Sequence, residues 1–568
     1  MDILERASSY QNTEKISEQK HIVSGSEVIA EVIRKLEEQG AVTMGVPGTP
    51  TTDIVEYLQK HGSQEEYWVE MDEVDMMRQL VGINALGRTT IAVMKHTGFS
   101  CIQEQLVVLS NLDLRAPLVL IVGDEPGATS QMGNDTRSMC DSSYIPVVEP
   151  SFNNIEECFS YCLQLSDRLR KPVVYRVVPR SVAHCGVAKK ISITGSLYAN
   201  HTFSNRDYYA SEGMVIGRYT STKTLLNNLK LEKFPEINSF MQAELKTGNE
   251  IKALVISAGG IADRVKVIIK GGYSFLSHLE INTVSHLPET ILAELVPNYD
   301  AILVMESWEP YLERRIRDFV QRMSGANHII VYGREPQIEV NANEDELIMG
   351  AGDMSDTEIE NVINVFLSGG TAQDITTTYQ SRCGDHSFSS NVDSRFLNIF
   401  EAFTDASKAI NKSPVFSLST GRTRYSVMDT QYEQYVQFMS PMGSEALTLI
   451  GYLKYVENIS SISPCLIIGD YTFAHSSWKG VSALNLHRAR TGVVVPVIVI
   501  ENGGSKTTGG QLNHSLPADI GRLLVTNWGH RFLGTVSIDD KRLLRSNIEM
   551  LMDPATEEDI LIVRALDC

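Results

Sequence analysis

Three α/β domains with mostly parallel sheets are what this sequence predicts, and three observations carry the prediction. Apolar runs of strand length alternate with segments of helical spacing from about residue 22 onward. The runs are continuous rather than alternating, as in strands that helices cover on both faces. They fall into three groups parted by polar stretches, and 568 residues suit about three or four domains.

Residues 1–21 are polar and carry no apolar leader segment, which predicts a disordered start in a cytoplasmic protein. The first group, 22–190, opens with helical spacing at 28–36, halted by Gly40. A strand follows at 41–46, then the turn Pro47-Gly48-Thr49-Pro50, and helical spacing resumes at 53–59. Further strands are expected at 90–94, 118–122 and 173–178. Residues 191–250 are irregular and polar, and are expected to form a connector. The middle α/β domain, 251–369, has strand-like runs at 254–260, 301–306 and 328–332. Residues 370–394, rich in Thr, Ser, Gln and Asp, predict a linker. The last domain, 395–568, places strands at 415–418, 465–468, 493–500 and 560–564.

Composition narrows the function. Hydrophobic residues make up 43% and charged residues 21%, so the chain is globular rather than disordered. Fifty Lys and Arg against 70 Asp and Glu give a net charge of −20, which repels phosphate backbones and argues against a nucleic-acid partner. The longest apolar runs, such as 493–500, fall far short of the ~20 residues that span a bilayer, so no membrane association is expected. Eight cysteines stand at 101, 140, 158, 162, 185, 383, 465 and 568 without a Cys-x-x-Cys. They predict reduced, buried thiols rather than disulfides or ligands.

The last domain carries the densest polar signal. One strand runs into Gly469-Asp470, the next into Glu501-Asn502-Gly503-Gly504. Both sites are carboxyl ends of parallel strands, where open α/β sheets bind ligands. A carboxylate, an amide oxygen and a nearby backbone carbonyl suit Mg²⁺ completed by phosphate oxygens and water, although Gly-Asp is also a common strand-end turn. The Gly-rich stretch 503–511 reads as a phosphate cradle or as a surface loop, but not as a P-loop. In the first domain Asp72, Glu73 and Asp75 precede an apolar helix, where the helix dipole alone favours acidic residues. His96 follows a strand and reads as packing or as catalysis.

Taken in order, these segments resemble the thiamine diphosphate-dependent 2-oxo acid enzymes, and most closely the large subunit of indolepyruvate:ferredoxin oxidoreductase. The resemblance is carried by Val46-Pro47-Gly48-Thr49-Pro50-Thr51, Asp72-Glu73-Val74, Met94-Lys95-His96-Thr97-Gly98 and Asn134-Asp135-Thr136-Arg137. It continues through Ile145 to Pro150, Val304 to Pro310, Met442-Gly443-Ser444, Gly469 to Ser476 and Thr508-Gly509-Gly510-Gln511. It implies an aminopyrimidine-binding first domain, a transketolase C-terminal-like middle domain and a diphosphate-binding last domain. Glu73 matches the glutamate that activates the cofactor by hydrogen-bonding its pyrimidine. Asp470, Asn502 and the Gly504 carbonyl match the Mg²⁺ ligands, and Met442 matches the apolar prop under the cofactor. Pro47, Thr49, Gly421, Gly443, Ser444, Gly469 and Thr472 fall at cofactor-binding positions. His96 falls at a catalytic position, and Thr49 and Arg137 fall where a 2-oxo acid carboxylate would be held.

The sequence also departs from that family. The chain ends at Ala565-Leu566-Asp567-Cys568, where the family's iron–sulfur segment would begin. Its Cys-Pro-Gly-Cys stretch is replaced by Lys412-Ser413-Pro414-Val415-Phe416, and its diphosphate loop by Ser419-Thr420-Gly421-Arg422-Thr423. The expected activity is therefore non-oxidative decarboxylation of a 2-oxo acid, with or without carboligation to a second carbonyl, by a homodimer using thiamine diphosphate and Mg²⁺. The alternatives are an oxidoreductase subunit whose electron carrier sits on another chain, with or without a small partner subunit, and a non-catalytic cofactor-binding paralogue.

Overall fold

The computed structural model describes residues 22–565 apart from 62–66, 70–71, 126–133, 188–190, 194–211, 233–236, 244–251, 326–327, 335–353, 369–393, 420–425, 428–429, 441, 455 and 503–530. Segment 1–21, nearly all of the expected linker, Gly421, Gly504 and the Gly-rich stretch 503–511 therefore lie outside the described residues.

The first unit runs β1 (Ile22–Ser24), α1 (Gly25–Glu37), β2 (Val42–Gly45), α2 (Thr52–His61), β3 (Tyr67–Val69), α3 (Glu73–Asn84), β4 (Thr90–Lys95), α4 (His96–Cys101), α5 (Gln103–Ser110), β5 (Leu118–Gly123), α6 (Thr136–Ser142), β6 (Val147–Val148), α7 (Ile155–Leu169), β7 (Val173–Val177), α8 (Pro179–Ala183) and β8 (Cys185–Val187). Ser24 and Glu27 close a capping box that starts α1, which buries Ile29, Ile33 and Leu36 along one face. Six strands pair in parallel in the order β3-β2-β4-β5-β7-β6. Every residue of β5 is buried, as expected of a central strand covered by helices on both sides. β1 and β8 pair antiparallel and tie the unit's two ends together.

The middle unit contains α9 (Glu212–Lys230), β9 (Ser239–Met241), β10 (Ala253–Ser257), α10 (Ala262–Gly272), β11 (Ser277–Glu280), α11 (Glu289–Leu295), β12 (Ala301–Met305), α12 (Tyr311–Arg322), β13 (Ile330–Tyr332) and α13 (Asp356–Ser368). Its sheet has the order β13-β12-β10-β11-β9, with only the edge strand β9 antiparallel. The segment expected as a connector thus holds a long helix and an edge strand. Leu225, Leu226 and Leu229 of α9 pack on the first unit's core, while β9 extends the middle sheet. One apolar core runs from Met44 and Leu120 of the first unit to Leu254 and Val304 of the middle one, so these two units fold against each other.

A buried charge network fastens the same seam. The Arg137 guanidinium is fully buried and lies 2.6 Å from Glu306 of the middle unit and 3.2 Å from Glu149. It also pairs with Asp135 and donates to the carbonyls of Ser307 and Glu309 at 3.0 Å. Those carbonyls flank Trp308, whose φ of 80° is a left-handed conformation that a bulky residue holds only when its surroundings impose it. Arg176 bridges Asp124 and Glu149 beside it. Burial pushes Asp124 up to about 6, whereas Arg137 and Arg176 outweigh burial at Asp135 and hold it at about 2. Arg137 is thus committed to protein carboxylates and carbonyls. In this structure it serves as a cation of the seam between the first and middle units.

The third unit runs α14 (Leu397–Ala409), β14 (Ser413–Ser419), β15 (Val436–Ser440), α15 (Glu445–Leu453), β16 (Ile462–Gly469), α16 (Trp478–Thr491), β17 (Val497–Glu501), β18 (Phe532–Ser537), α17 (Lys541–Met552) and β19 (Ile560–Arg564). Six parallel strands take the order β15-β14-β16-β17-β19-β18, with one apolar core on each face. A helical turn, Asp470–Thr472, and a π-helical turn, Phe473–Ser477, join β16 to α16. Among the described residues no helix is long and apolar enough to cross a membrane.

Candidate active site

The carboxyl ends of β2, β4 and β5 lie side by side. The turn after β2 carries Pro47 and Thr49, both half-buried, and is closed by Thr51 Oγ1 donating to the Gly48 carbonyl at 2.8 Å. A side chain at Gly123, the last residue of β5, would collide with Pro50 and Thr51, so the turn sits on that strand end. His96 opens α4, is 1% exposed, and has its Nδ1 3.3 Å from the Gly123 carbonyl. The structure therefore brings the Thr49 turn and His96 to one strand end.

Glu73 joins this edge from α3. The helix is capped by Asp72, whose Oδ1 accepts the Val74 and Asp75 N–H groups at 2.8 and 3.0 Å. Glu73 is not needed for that task and is buried. Its carboxylate lies against Gly98 of α4, where any Cβ would collide with it. Its Oε2 is 3.1 Å from Nε2 of His475, which comes from the third unit, 402 positions along the chain. The catalytic candidate of the first unit thus faces the π-helical turn of the third.

On the third unit Asp470 and Asn502 follow the paired strands β16 and β17, as the sequence predicts. Asp470 is 4% exposed; its Oδ1 accepts the Tyr471 N–H at 2.7 Å and its Oδ2 accepts the Asn502 N–H at 3.2 Å. Gly469 ends β16, and the Thr472 hydroxyl accepts from Ser419 at 3.2 Å where β14 ends. Met442, Gly443 and Ser444 lead into α15. Met442 is 37% exposed, and Gly443, at a φ of 89°, packs so closely on Ser476 that a side chain would clash.

Three groups at this seam were not singled out from the sequence: His475, Glu445 and Tyr471. His475 stands within a quoted motif, but its partner Glu73 is remote in sequence. Burial opposes charge on His475, yet the hydrogen bond to Glu73 and the fields of Glu73, Asp72 and Glu445 outweigh it and hold its pKa above the usual imidazole value. Glu445 Oε2 accepts the Gly443 N–H and the Ser477 hydroxyl, both at 3.0 Å. Its Oε1 and the Tyr471 hydroxyl are buried without a hydrogen-bond partner among the described residues. Burial pushes Glu445 up to about 7 and moves Tyr471 upward too, helped there by Glu73 and Asp72.

The Glu445 shift has a testable sign. A folded-state pKa of about 7 against 4.5 for the free group means stability is full below pH 4.5 and declines as pH rises to about 7. Glu445→Gln does not titrate. It is expected to be destabilising by about 1–2 kcal/mol at pH 4.5, where the carboxyl is already neutral and the buried amide stays unpartnered, and stabilising by about 1–2 kcal/mol at pH 8, where the carboxylate's burial cost is relieved. Urea unfolding at both pH values checks this, and a pH-independent difference refutes it.

No protein-family model matches the chain. The chain is similar to indolepyruvate oxidoreductase subunit IorA. The Archaeoglobus fulgidus protein is 22% identical over 315 residues, 53% of this chain and 48% of its own length. That of Pyrococcus horikoshii is 22% identical over 306 residues, 53% of this chain and 47% of its own. The chain thus spans about half the length of the curated IorA proteins it matches. Among solved structures, a 2-oxoglutarate:ferredoxin oxidoreductase from Magnetococcus marinus aligns with a TM-score of 0.41 and 14% identity, over 55% of this chain and 62% of that one.

The seam fits thiamine diphosphate and Mg²⁺ on its own chemistry. Asp470 and Asn502 supply hard oxygen donors at adjoining strand ends, and two buried polar atoms, Glu445 Oε1 and Tyr471 Oη, await a partner. Among the described residues no three His, Cys, Asp or Glu side chains gather as a metal cluster. A set of one carboxylate and one amide, completed by phosphate and water, does not require one.

Proposed function

We propose that the chain is the thiamine diphosphate-dependent catalytic subunit of a 2-oxo acid oxidoreductase, cytoplasmic and homodimeric, which passes electrons to a carrier on a separate chain. The observation that carries the reading is the meeting of Glu73 with the Asp470–Ser477 segment across the first and third units. The IorA relatives favour the oxidative outcome, so the expectation of non-oxidative decarboxylation or carboligation gives way to the oxidoreductase alternative.

In this reading Asp470, Asn502 and the Gly504 carbonyl hold Mg²⁺, and Gly421, Gly443, Ser444, Gly469 and Thr472 surround the diphosphate. Pro47, Thr49 and Met442 line the rest of the cofactor pocket. When bound, the cofactor supplies the electron sink that loss of CO₂ from a 2-oxo acid requires. Glu73 holds or gives up a proton at its carboxyl, in a site from which most water is excluded. His96 donates or accepts at the substrate side, oriented by the Gly123 carbonyl, and Thr49 is the remaining candidate to hold the substrate carboxylate.

Two experiments test the reading. Incubation with thiamine diphosphate, Mg²⁺ and a panel of 2-oxo acids is expected to reduce a one-electron dye in step with CO₂ release. Aldehyde or acyloin formed equally well without the dye would return the non-oxidative reading. Asp470→Ala is expected to weaken cofactor binding at least about tenfold, because it removes a charged ligand beside two phosphates. Wild-type affinity by calorimetry would remove Asp470 from the metal site.

A further inference from the structure

We propose that His475 is the proton-transfer partner of Glu73, carrying protons between that buried carboxyl and a half-buried exit formed by Ser476 and Asp72. The proposal rests on the reading of Glu73 as the acid–base group of the site. A carboxyl that gives and takes a proton in every cycle needs a route to solvent. Glu73 is walled by Gly98 on one side and met by His475 Nε2 on the other. The second ring nitrogen, Nδ1, lies 2.7 Å from Ser476 Oγ and 4.0 Å from Asp72 Oδ2.

Burial falls along this path. The side chains of Glu73 and His475 are 8% and 6% exposed, that of Asp72 is 21% exposed, and Ser476 is half-buried. Asp72 is held in place because its other oxygen caps α3. Imidazole is the side chain that can accept a proton at one nitrogen and release another from its opposite side. His475 also sits on a π-helical turn, a distortion found frequently at functional sites.

The transfer balances. With Glu73 protonated and His475 neutral with its proton on Nδ1, the Glu73 proton passes to Nε2 and the ring becomes an imidazolium. Nδ1 then yields its proton to Ser476 Oγ, whose own hydroxyl proton passes to water. One proton leaves Glu73 and one reaches solvent; only O–H and N–H bonds are exchanged. The reverse sequence reloads Glu73. The charged and titratable groups facing the ring are Glu73 and Asp72 from the first unit, Glu445 at the start of α15, and Tyr471 one turn earlier on its own segment. The carboxylates favour the imidazolium, which keeps the relay chargeable near neutral pH.

The test begins with the full-length, cofactor-free protein. The ring resonances of His475, assigned by their loss in His475→Gln, are expected to titrate above the usual imidazole midpoint in the wild type. The midpoint is expected to fall by about one unit or more in Glu73→Gln. An unchanged midpoint overturns the pairing. With thiamine diphosphate and Mg²⁺ added, His475→Gln keeps an N–H donor at Glu73 and is expected to bind the cofactor normally. Exchange of the cofactor's C2 proton with deuterium should nevertheless slow by about tenfold or more. Added imidazole should restore exchange in His475→Gly. Wild-type exchange in His475→Gln overturns the relay. Failure of the wild type to bind the cofactor refutes the functional reading instead, while the titration still reads the Glu73–His475 pair.

Discussion

Glu73→Gln is expected to lower turnover of a 2-oxo acid by about 10²–10⁴-fold, the usual worth of a positioned general acid–base group. The competing explanation of this residue is that an acid at a helix start merely complements the dipole, for about 0.3–1 kcal/mol. The structure assigns the capping hydrogen bonds to Asp72, leaving Glu73 buried against Gly98 and His475. Glutamine is nearly isosteric with glutamate and still reaches His475, so lost packing cannot explain a large drop. It cannot cycle a proton. Affinity for Mg²⁺ should survive, because Asp470 and Asn502 belong to the other unit. The decisive measurement is deuterium exchange at C2 of bound thiamine diphosphate. Exchange as fast in Glu73→Gln as in the wild type would take Glu73 out of the chemistry and leave the dipole explanation standing.

Most of the fold was legible because its central strands are almost wholly buried. Thr90–Lys95, Leu118–Gly123 and Val497–Glu501 read as apolar runs since helices cover both faces. β11, Ser277–Glu280, was not legible. It is fully buried, but its His278 Nε2 and Glu280 carboxylate are hydrogen-bonded to Ser257, Asn154 and Ser239 rather than packed on apolar neighbours. The edge strands Val436–Ser440 and Phe532–Ser537 mix polar and apolar residues, having one neighbour and partial exposure, and so lack the run that marks a central strand. At the candidate site the strand-end pair Asp470 and Asn502 was legible from local pattern. His475 and Glu445 were not, because their significance lies in what the third unit places opposite the first. No window along the sequence contains both Glu73 and His475.

Arg137 is the clearest case of a residue whose neighbours in space suggest a role the sequence did not, and its replacement is expected to cost stability rather than affinity. Its side chain is fully buried among Asp135, Glu149 and Glu306, the last two being 12 and 169 positions away. With Arg176 it offsets four carboxylates, counting Asp124, so the network already holds more acid than base. Arg137→Met keeps much of the side chain's bulk but takes a cation from three carboxylates, of which only Glu149 keeps Arg176 within 3.1 Å, and frees the carbonyls of Ser307 and Glu309. Removing one partner of a buried ion pair typically costs about 3–5 kcal/mol. The loss should grow with rising pH as the carboxylates that lose Arg137 ionise, since burial already raises Glu306. Adding Glu306→Gln to Arg137→Met should recover part of it, because that change removes an unpaired charge. A substrate-binding arginine would behave otherwise: Arg137→Met would raise KM for the 2-oxo acid and leave urea unfolding unchanged. Unfolding at pH 6 and pH 8, with and without Glu306→Gln, separates the two, and wild-type stability in Arg137→Met would return Arg137 to the substrate pocket.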